Sequence, residues 1–212
     1  MKREERKKQF RMDCLKLLQN ASKRGKYSKD KKTLNKLYKY LKQSDAKKVM
    51  LYLPLKTEVN IYPLIQRLRK EKRTLYVPFM EGKSFRLVKY RLPLKEKRFG
   101  IKEPNDSKQF RNKKIDMAIV PIVGVDSTNR RVGFGKGMYD RFFEKHSEYI
   151  KQIVFVAREL CYSKEVVTDH YDVKADMIIT PKERQRTRDV GDSSGYRRSN
   201  CRNNNLLYMV KN

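Results

Sequence analysis

The hydrophobic positions along this chain change period several times, and each change marks an element. Phe10, Cys14, Leu17 and Leu18 fall at i, i+4, i+7 and i+8, which places them on one face of an opening helix. Leu34, Leu37, Tyr38 and Leu41 repeat that spacing, with Ser28 or Asp30 as candidate caps. The run "KVMLYLP" at 48–54 is short, apolar and closed by Pro54, the pattern of a buried strand. Ile61, Leu64, Ile65 and Leu68 then define a third helix. "TLYVP" at 74–78 predicts another strand, and "SFRLVKYRL" at 84–92 alternates as an outer one does.

The most apolar stretch, "IDMAIVPIVGV" at 115–125, predicts a central strand. "MYDRFFEKHSEYI" at 138–150 is helical in length and pattern, and "QIVFVA" and "DMIIT" complete the strands. Short apolar strands separated by helices predict a single α/β domain with a largely parallel central sheet, flanked by helices on both faces. Ligands of such sheets sit outside the carboxyl ends of the strands. Residues 183–212, rich in Arg, Asn, Ser and Gly and without a period, are expected to form a basic, disordered tail behind a domain over 1–182.

Charge adds a constraint but not a choice. The formal net charge is +29, with 36% charged and 38% hydrophobic residues, so polyanionic partners are expected: nucleic acid, anionic lipid, or ligands carrying phosphates and carboxylates. The basic residues are dispersed, and neither zinc-finger spacing nor an aromatic RNA-binding signature accompanies them. Nucleic-acid binding on an α/β scaffold therefore stands as the second reading. Cys14, Cys161 and Cys201 are an odd, sparse set, which argues for a reducing compartment and against a disulfide framework or a structural zinc site. With no signal-peptide pattern and no membrane-length apolar segment, a cytoplasmic protein is expected.

The candidate chemistry lies in "RVGFGKGMYDRFF" at 131–143. Glycine at 133, 135 and 137 is poor material for a helix or a strand, but it lets backbone N–H groups reach phosphate oxygens. Lys136 adds a compact charge and Arg131 a planar fork. Asp140, opening the next helix, is placed to hold a magnesium ion beside the phosphate. The run is not a P-loop, because Gly137 rather than Ser or Thr follows Lys136, and its glycine spacing fails the dinucleotide fingerprint. Set against a plain glycine turn, the residues support a phosphate loop and go no further.

The run Arg131-Val132-Gly133-Phe134-Gly135-Lys136-Gly137-Met138-Tyr139-Asp140-Arg141 resembles the signature of the 5-formyltetrahydrofolate cyclo-ligase family, approximately R-L-G-x-G-x-G-Y-Y-D-R. Lys7 to Arg11 resembles that family's K-x-x-L-R, and "YLPLKTEVNIYPLI" its strand and glutamate loop. "FGIKEP" at 99–104, "IDMAIVPIVGVD" at 115–126 and "DHYDVKADMIIT" follow in the family's order, the last with one extra residue between His170 and Asp172. The resemblance spans about residues 3–182.

It implies a Rossmann-like fold (NagB/RpiA/CoA transferase-like) and an ATP- and magnesium-dependent conversion of 5-formyltetrahydrofolate, with or without a polyglutamate tail, to 5,10-methenyltetrahydrofolate by a monomer. Lys7, Arg11, Arg131, Gly133, Phe134, Gly135, Lys136, Gly137, Met138 and Tyr139 would contact ATP, with Lys136 and Arg131 as the catalytic cations. Leu53, Glu58 and Tyr139 would line the folate pocket, Glu58 facing the donor-rich edge of the pterin. Asp140 and Asp172 would hold magnesium. Met138 stands where the family usually has a tyrosine, which leaves open a relative that turns the same loop on another substrate. Without the resemblance, Lys7 and Arg11 would be a solvated helix face, Glu58 a surface acid, Leu53 a core residue, and Asp172 or Asp176 a turn cap.

Overall fold

The computed structural model describes residues 2–96, 102–104, 114–182 and 208–209. Four α-helices occur among them: α1 (Arg3–Lys23), α2 (Lys26–Gln43), α3 (Tyr62–Lys70) and α4 (Met138–His146). The strands are β1 (Lys48–Met50), β2 (Thr74–Glu81), β3 (Ser84–Lys89), β4 (Leu94–Glu96), β5 (Lys102–Pro104), β6 (Met117–Pro121), β7 (Gly124–Val125), β8 (Arg131–Val132), β9 (Ile153–Val156), β10 (Met177–Ile179) and β11 (Tyr208–Met209).

Seven of them form one sheet in the order β11-β10-β9-β6-β1-β2-β3. Its five inner strands run parallel, and β3 and β11 pair antiparallel at the two edges. β6 is fully buried at the middle, as its unbroken apolar run requires. β4 pairs with β5, and β7 with β8, as small separate ribbons.

Alternation along the strands sends side chains to two cores. Val49, Leu51, Leu75, Ile119 and Val154 pack with Leu37 and Leu41 of α2 and with Leu64, Ile65 and Leu68 of α3. Met50, Tyr76, Ala118, Val120 and Phe155 pack on the other face with Phe142 and Phe143 of α4. The sheet is thus covered on both faces, as its apolar strands predict. α1 stands apart from both layers: Cys14 and Leu18 pack on Val123, just beyond the carboxyl end of β6.

Three expectations are corrected by this packing. Gly25, in the left-handed region at φ 66°, precedes α2, so neither Ser28 nor Asp30 caps it; Asp30 lies inside the helix, 5% exposed, and pairs with a buried arginine. Leu17 is 39% exposed, because the buried stripe of α1 runs through Cys14, Leu18 and Ala21. Cys14 and Cys161 form a disulfide, their Cα atoms 5.5 Å apart across 147 residues of sequence, because α1 crosses the strand ends beside the segment that follows β9. The cysteine content therefore carries no message about a reducing compartment. Of the expected tail, Tyr208–Met209 form β11 against β10, while 183–207 and 210–212, with Cys201, lie outside the described residues, as do Phe99, Gly100 and Ile101 of the 99–104 stretch.

Candidate active site

Strand order locates the site before any side chain does. From β1 the chain moves to β2 on one side, then returns past β1 to place β6 on the other. Such a switch point opens a crevice at the carboxyl ends of the two strands. The segment after β1 carries Leu53 and Glu58, and the segments after β6 carry the glycine loop. Sequence-distant groups therefore meet across one crevice.

The loop runs from β8 into α4. Arg131 is held by its own backbone N–H on the Val173 carbonyl at 2.9 Å, and its side chain is buried beneath the loop. A Cβ on Gly133 would stand 2.1 Å from Arg131 Nη2, so any larger residue here must push this guanidinium aside. Gly135 and Gly137 have φ of +90° and +62°, which side-chain-bearing residues rarely adopt, and Gly137 is the residue from which α4 starts. The glycines thus fulfil two requirements, a close approach and a left-handed backbone. Lys136 and Phe134 are exposed on the loop, and Met138 packs partly into the core beneath α4.

Arg131 Nη1 lies 3.8 Å from Asp140 Oδ1, an ion pair too long for a hydrogen bond. Both atoms are buried, and neither has a hydrogen-bond partner among the described residues, nor has Arg131 Nε. Buried polar groups of this kind are costly unless something completes them. The guanidinium also sits 4.7 Å over the Tyr139 ring, which meets Phe85 edge-on at 5.0 Å. Burial and the nearby Glu58 charge hold the Tyr139 phenol well above its ordinary range, so it acts here as a neutral hydroxyl.

α1 brings two further cations. Arg11 Nε donates to the Gly133 carbonyl at 2.9 Å, which ties the helix to the glycine loop. Lys7, one turn earlier on the same face, pairs with Asp172 and, at 3.2 Å, with Asp169. Burial alone would lower the Lys7 pKa, but the bonds and charges of these two aspartates outweigh it and raise the value. Asp172 also accepts the Asp169 N–H at 2.7 Å. Its Oδ2 is thus already taken, whereas Asp140 offers a free buried oxygen. No cluster of three or more metal-ligating side chains occurs among the described residues. One carboxylate suffices for magnesium that arrives with phosphates and keeps most of its waters, and Asp140 fits that role.

Across the crevice, Leu53 is buried in the core around α3. Glu58 folds back so that its Oε2 accepts the Leu55 N–H at 2.8 Å. Burial raises its pKa from 4.5 to about 7, against the lowering effects of that bond and of Arg131 and Arg158. A carboxylate poised near neutrality, beside a neutral phenol and a buried arginine, suits a ligand rich in N–H donors.

Three residues that support this arrangement carry no mark of that role in the sequence. Asp126 is fully buried and accepts five hydrogen bonds, from Thr128, Val167 and Thr168, which join the arm of the glycine loop to the segment bearing Asp169 and Asp172. Burial opposes its charge, but those bonds prevail and lower its pKa. The other two, Arg158 and Asp30, form a buried pair behind Glu58. Asp126 closes the apolar stretch at 115–126, and nothing local marks Arg158.

Fold and site together define a doubly wound α/β protein with a glycine loop at its switch point. A model of the 5-formyltetrahydrofolate cyclo-ligase family matches residues 3–181, and the chain belongs to that family. It is 25% identical over 176 residues to the 5-formyltetrahydrofolate cyclo-ligase of Haemophilus influenzae, covering 80% of this chain and 94% of that one. It is 28% identical to the enzyme of Mycoplasma genitalium over 153 residues, 71% and 82% of the two chains. The solution structure of Aquifex aeolicus 5,10-methenyltetrahydrofolate synthetase superposes with a TM-score of 0.68 at 29% identity, over 90% of this chain and 96% of that one.

Proposed function

We propose that the enzyme converts 5-formyltetrahydrofolate and MgATP to 5,10-methenyltetrahydrofolate, ADP and phosphate. The observation that carries this reading is the unsatisfied Arg131–Asp140 pair beneath the glycine loop, facing Glu58 across the same crevice. Gly133 to Tyr139 cradle the triphosphate through the backbone, and Lys136, Arg131, Arg11 and Lys7 surround it with positive charge. Asp140 holds magnesium, with Asp172 available to it only if Lys7 exchanges its partner for phosphate. The ion supplies neutralisation of charge on the phosphates.

Glu58 accepts the pterin N–H groups, Leu53 packs beside the ring, and Tyr139 separates the folate from the nucleotide. The formyl oxygen attacks the γ-phosphorus and ADP leaves. N10 then attacks the activated carbon, loses its proton, and expels phosphate that carries the former formyl oxygen. No protein nucleophile is needed: positioning and electrostatic stabilisation carry the transfer, with Arg131 and Lys136 placed for the developing phosphate charge.

No helix among the described residues is long and apolar enough to cross a membrane. We place the enzyme in the cytoplasm, where ATP and reduced folates occur. The test is the absorbance of methenyl product from purified protein with 5-formyltetrahydrofolate and MgATP, beside Asp140→Ala. Product from the parent and not from the variant is expected. Its absence from folded, ATP-binding parent protein refutes the folate assignment while leaving the phosphate loop.

A further inference from the structure

Glu58 lies on an irregular segment between β1 and α3, where neither helix nor ladder hydrogen bonds fix the backbone. A group that must meet a ligand within a fraction of an ångström needs support from elsewhere. That support is Arg158, two residues beyond β9 and 0% exposed. Its Nη1 donates to the carbonyls of Lys56 at 3.4 Å and Thr57 at 3.0 Å, and its Nη2 to the carbonyl of Glu58. Three successive carbonyl oxygens thus converge on one guanidinium.

The rest of the fork is also engaged. Asp30 of α2 accepts from Nε at 2.8 Å and from Nη2 at 3.1 Å. Asp30 Oδ2 accepts the Asn60 N–H as well, at 3.2 Å, gripping the same segment from its far side. Ser22 of α1 accepts from Nη1 at 2.5 Å. A guanidinium brings five N–H donors in a fixed plane to these six acceptors, more than any other side chain offers, and the 3.4 Å contact to the Lys56 carbonyl is the longest of the set. Stability alone is weak grounds for such a pair, since apolar replacements of buried ion pairs are often neutral or stabilising.

We propose that Arg158, paired with Asp30, is the positioning residue that holds the Glu58 carboxylate in place for the folate ring, and so determines folate affinity without touching the nucleotide. The inference rests on the reading of Glu58 as the pterin's partner. Lysine at 158 keeps a charge but reaches fewer of the carbonyls, so the segment loosens while the fold persists. A further contribution is electrostatic: Arg158 and Arg131 are the cations acting on Glu58, with Tyr52 and Tyr139 as its neutral titratable neighbours.

The test compares Arg158→Lys, the double variant Asp30→Leu/Arg158→Met, and Glu58→Gln with the parent, each checked for a native thermal transition. KM is measured separately for 5-formyltetrahydrofolate and for MgATP, from pH 5 to pH 8. Both clamp variants are expected to raise the folate KM about tenfold or more and to leave the ATP KM within about twofold. In the parent, kcat/KM for folate should fall below about pH 7 as Glu58 protonates. In Arg158→Lys, which keeps the cation, that limb should move toward the ordinary carboxylate range, because the freed side chain reaches water. In the double variant the lost Arg158 charge opposes that shift, so Arg158→Lys decides this readout, and a merely structural role would leave its limb in place. A raised folate KM in Glu58→Gln beside an unchanged one in a folded Arg158→Lys overturns the clamp alone. An unchanged folate KM in Glu58→Gln and in the clamp variants overturns the Glu58 reading, and the clamp with it. If the double variant does not fold, Arg158→Lys decides.

Discussion

Replacing Glu58 by glutamine should stabilise the protein while impairing it, and the structure sets the size and pH dependence of that gain. Burial raises the Glu58 pKa from 4.5 to about 7. At 1.36 kcal/mol per pH unit, ionising this group in the folded protein costs up to about 3 kcal/mol; because the side chain is partly exposed, about 1–3 kcal/mol is the working range. A raised folded pKa means that the native state binds the proton more tightly than the unfolded chain. Stability then falls as pH rises from about 4.5 to about 7, and stays level above. Glutamine keeps an oxygen for the Leu55 N–H and carries no charge, so it escapes this loss.

Thermal melting of parent and Glu58→Gln between pH 4.5 and pH 8 reads the difference directly. The melting temperatures should nearly coincide at the acid end. At pH 8 the variant should melt roughly 2–12 °C higher, from about 2–4 °C per kcal/mol in a domain of this size. Its folate KM should rise roughly 10- to 100-fold, as expected for loss of charge-assisted hydrogen bonds. A Tm difference that does not change with pH, or a variant less stable than the parent at pH 8, would refute the reasoning.

Three other outcomes are expected. Gly133→Ala places a methyl group against Arg131 Nη2, so kcat/KM for ATP should fall about 100-fold with little change in Tm, as displacements near 1 Å at reacting groups do; near-parental activity would show that the guanidinium moves aside freely. Asp126→Asn exchanges an acceptor of five hydrogen bonds for an amide, and should cost about 2–4 kcal/mol in urea unfolding at pH 7. Because the folded pKa of Asp126 is lowered below 3.8, its contribution is complete above that value and lost only in acid, so the deficit should hold from pH 8 down to about pH 4. Protein purified without reductant should expose one titratable thiol on denaturation, and all three after reduction; Cys14→Ser should then cost about 2–5 kcal/mol of stability, since the bridge closes a loop of 147 residues. Three thiols before reduction would show that the pair is not bonded in solution.

What the sequence determined by itself about this protein is what local rules govern. The apolar run at 115–125 predicted a central strand, and its middle, Met117–Pro121, is β6 at the centre of the sheet, while Gly124–Val125 leave it to form β7. The spacing of Ile61, Leu64, Ile65 and Leu68 marked α3, which runs from Tyr62 to Lys70. The glycine loop was legible because positive φ and close backbone approach are demands that one residue type meets, and that type is visible in a string. Lys7 and Arg11, four apart, were bound to share a helix face, although their turning toward the glycine loop was not a local matter.

Tertiary structure alone decided the rest. Asp30 read as a cap because capping is local, whereas its partner Arg158 stands 128 residues away and meets it only through the order of strands and helices. Cys14 and Cys161 looked unpaired for the same reason, and Asp126 carries no mark of the bonds it receives from Thr128, Val167 and Thr168. Burial is the common cause. A side chain's pKa, its unmet hydrogen bonds and its partners depend on which surfaces the fold removes from water, and no window of sequence contains that information.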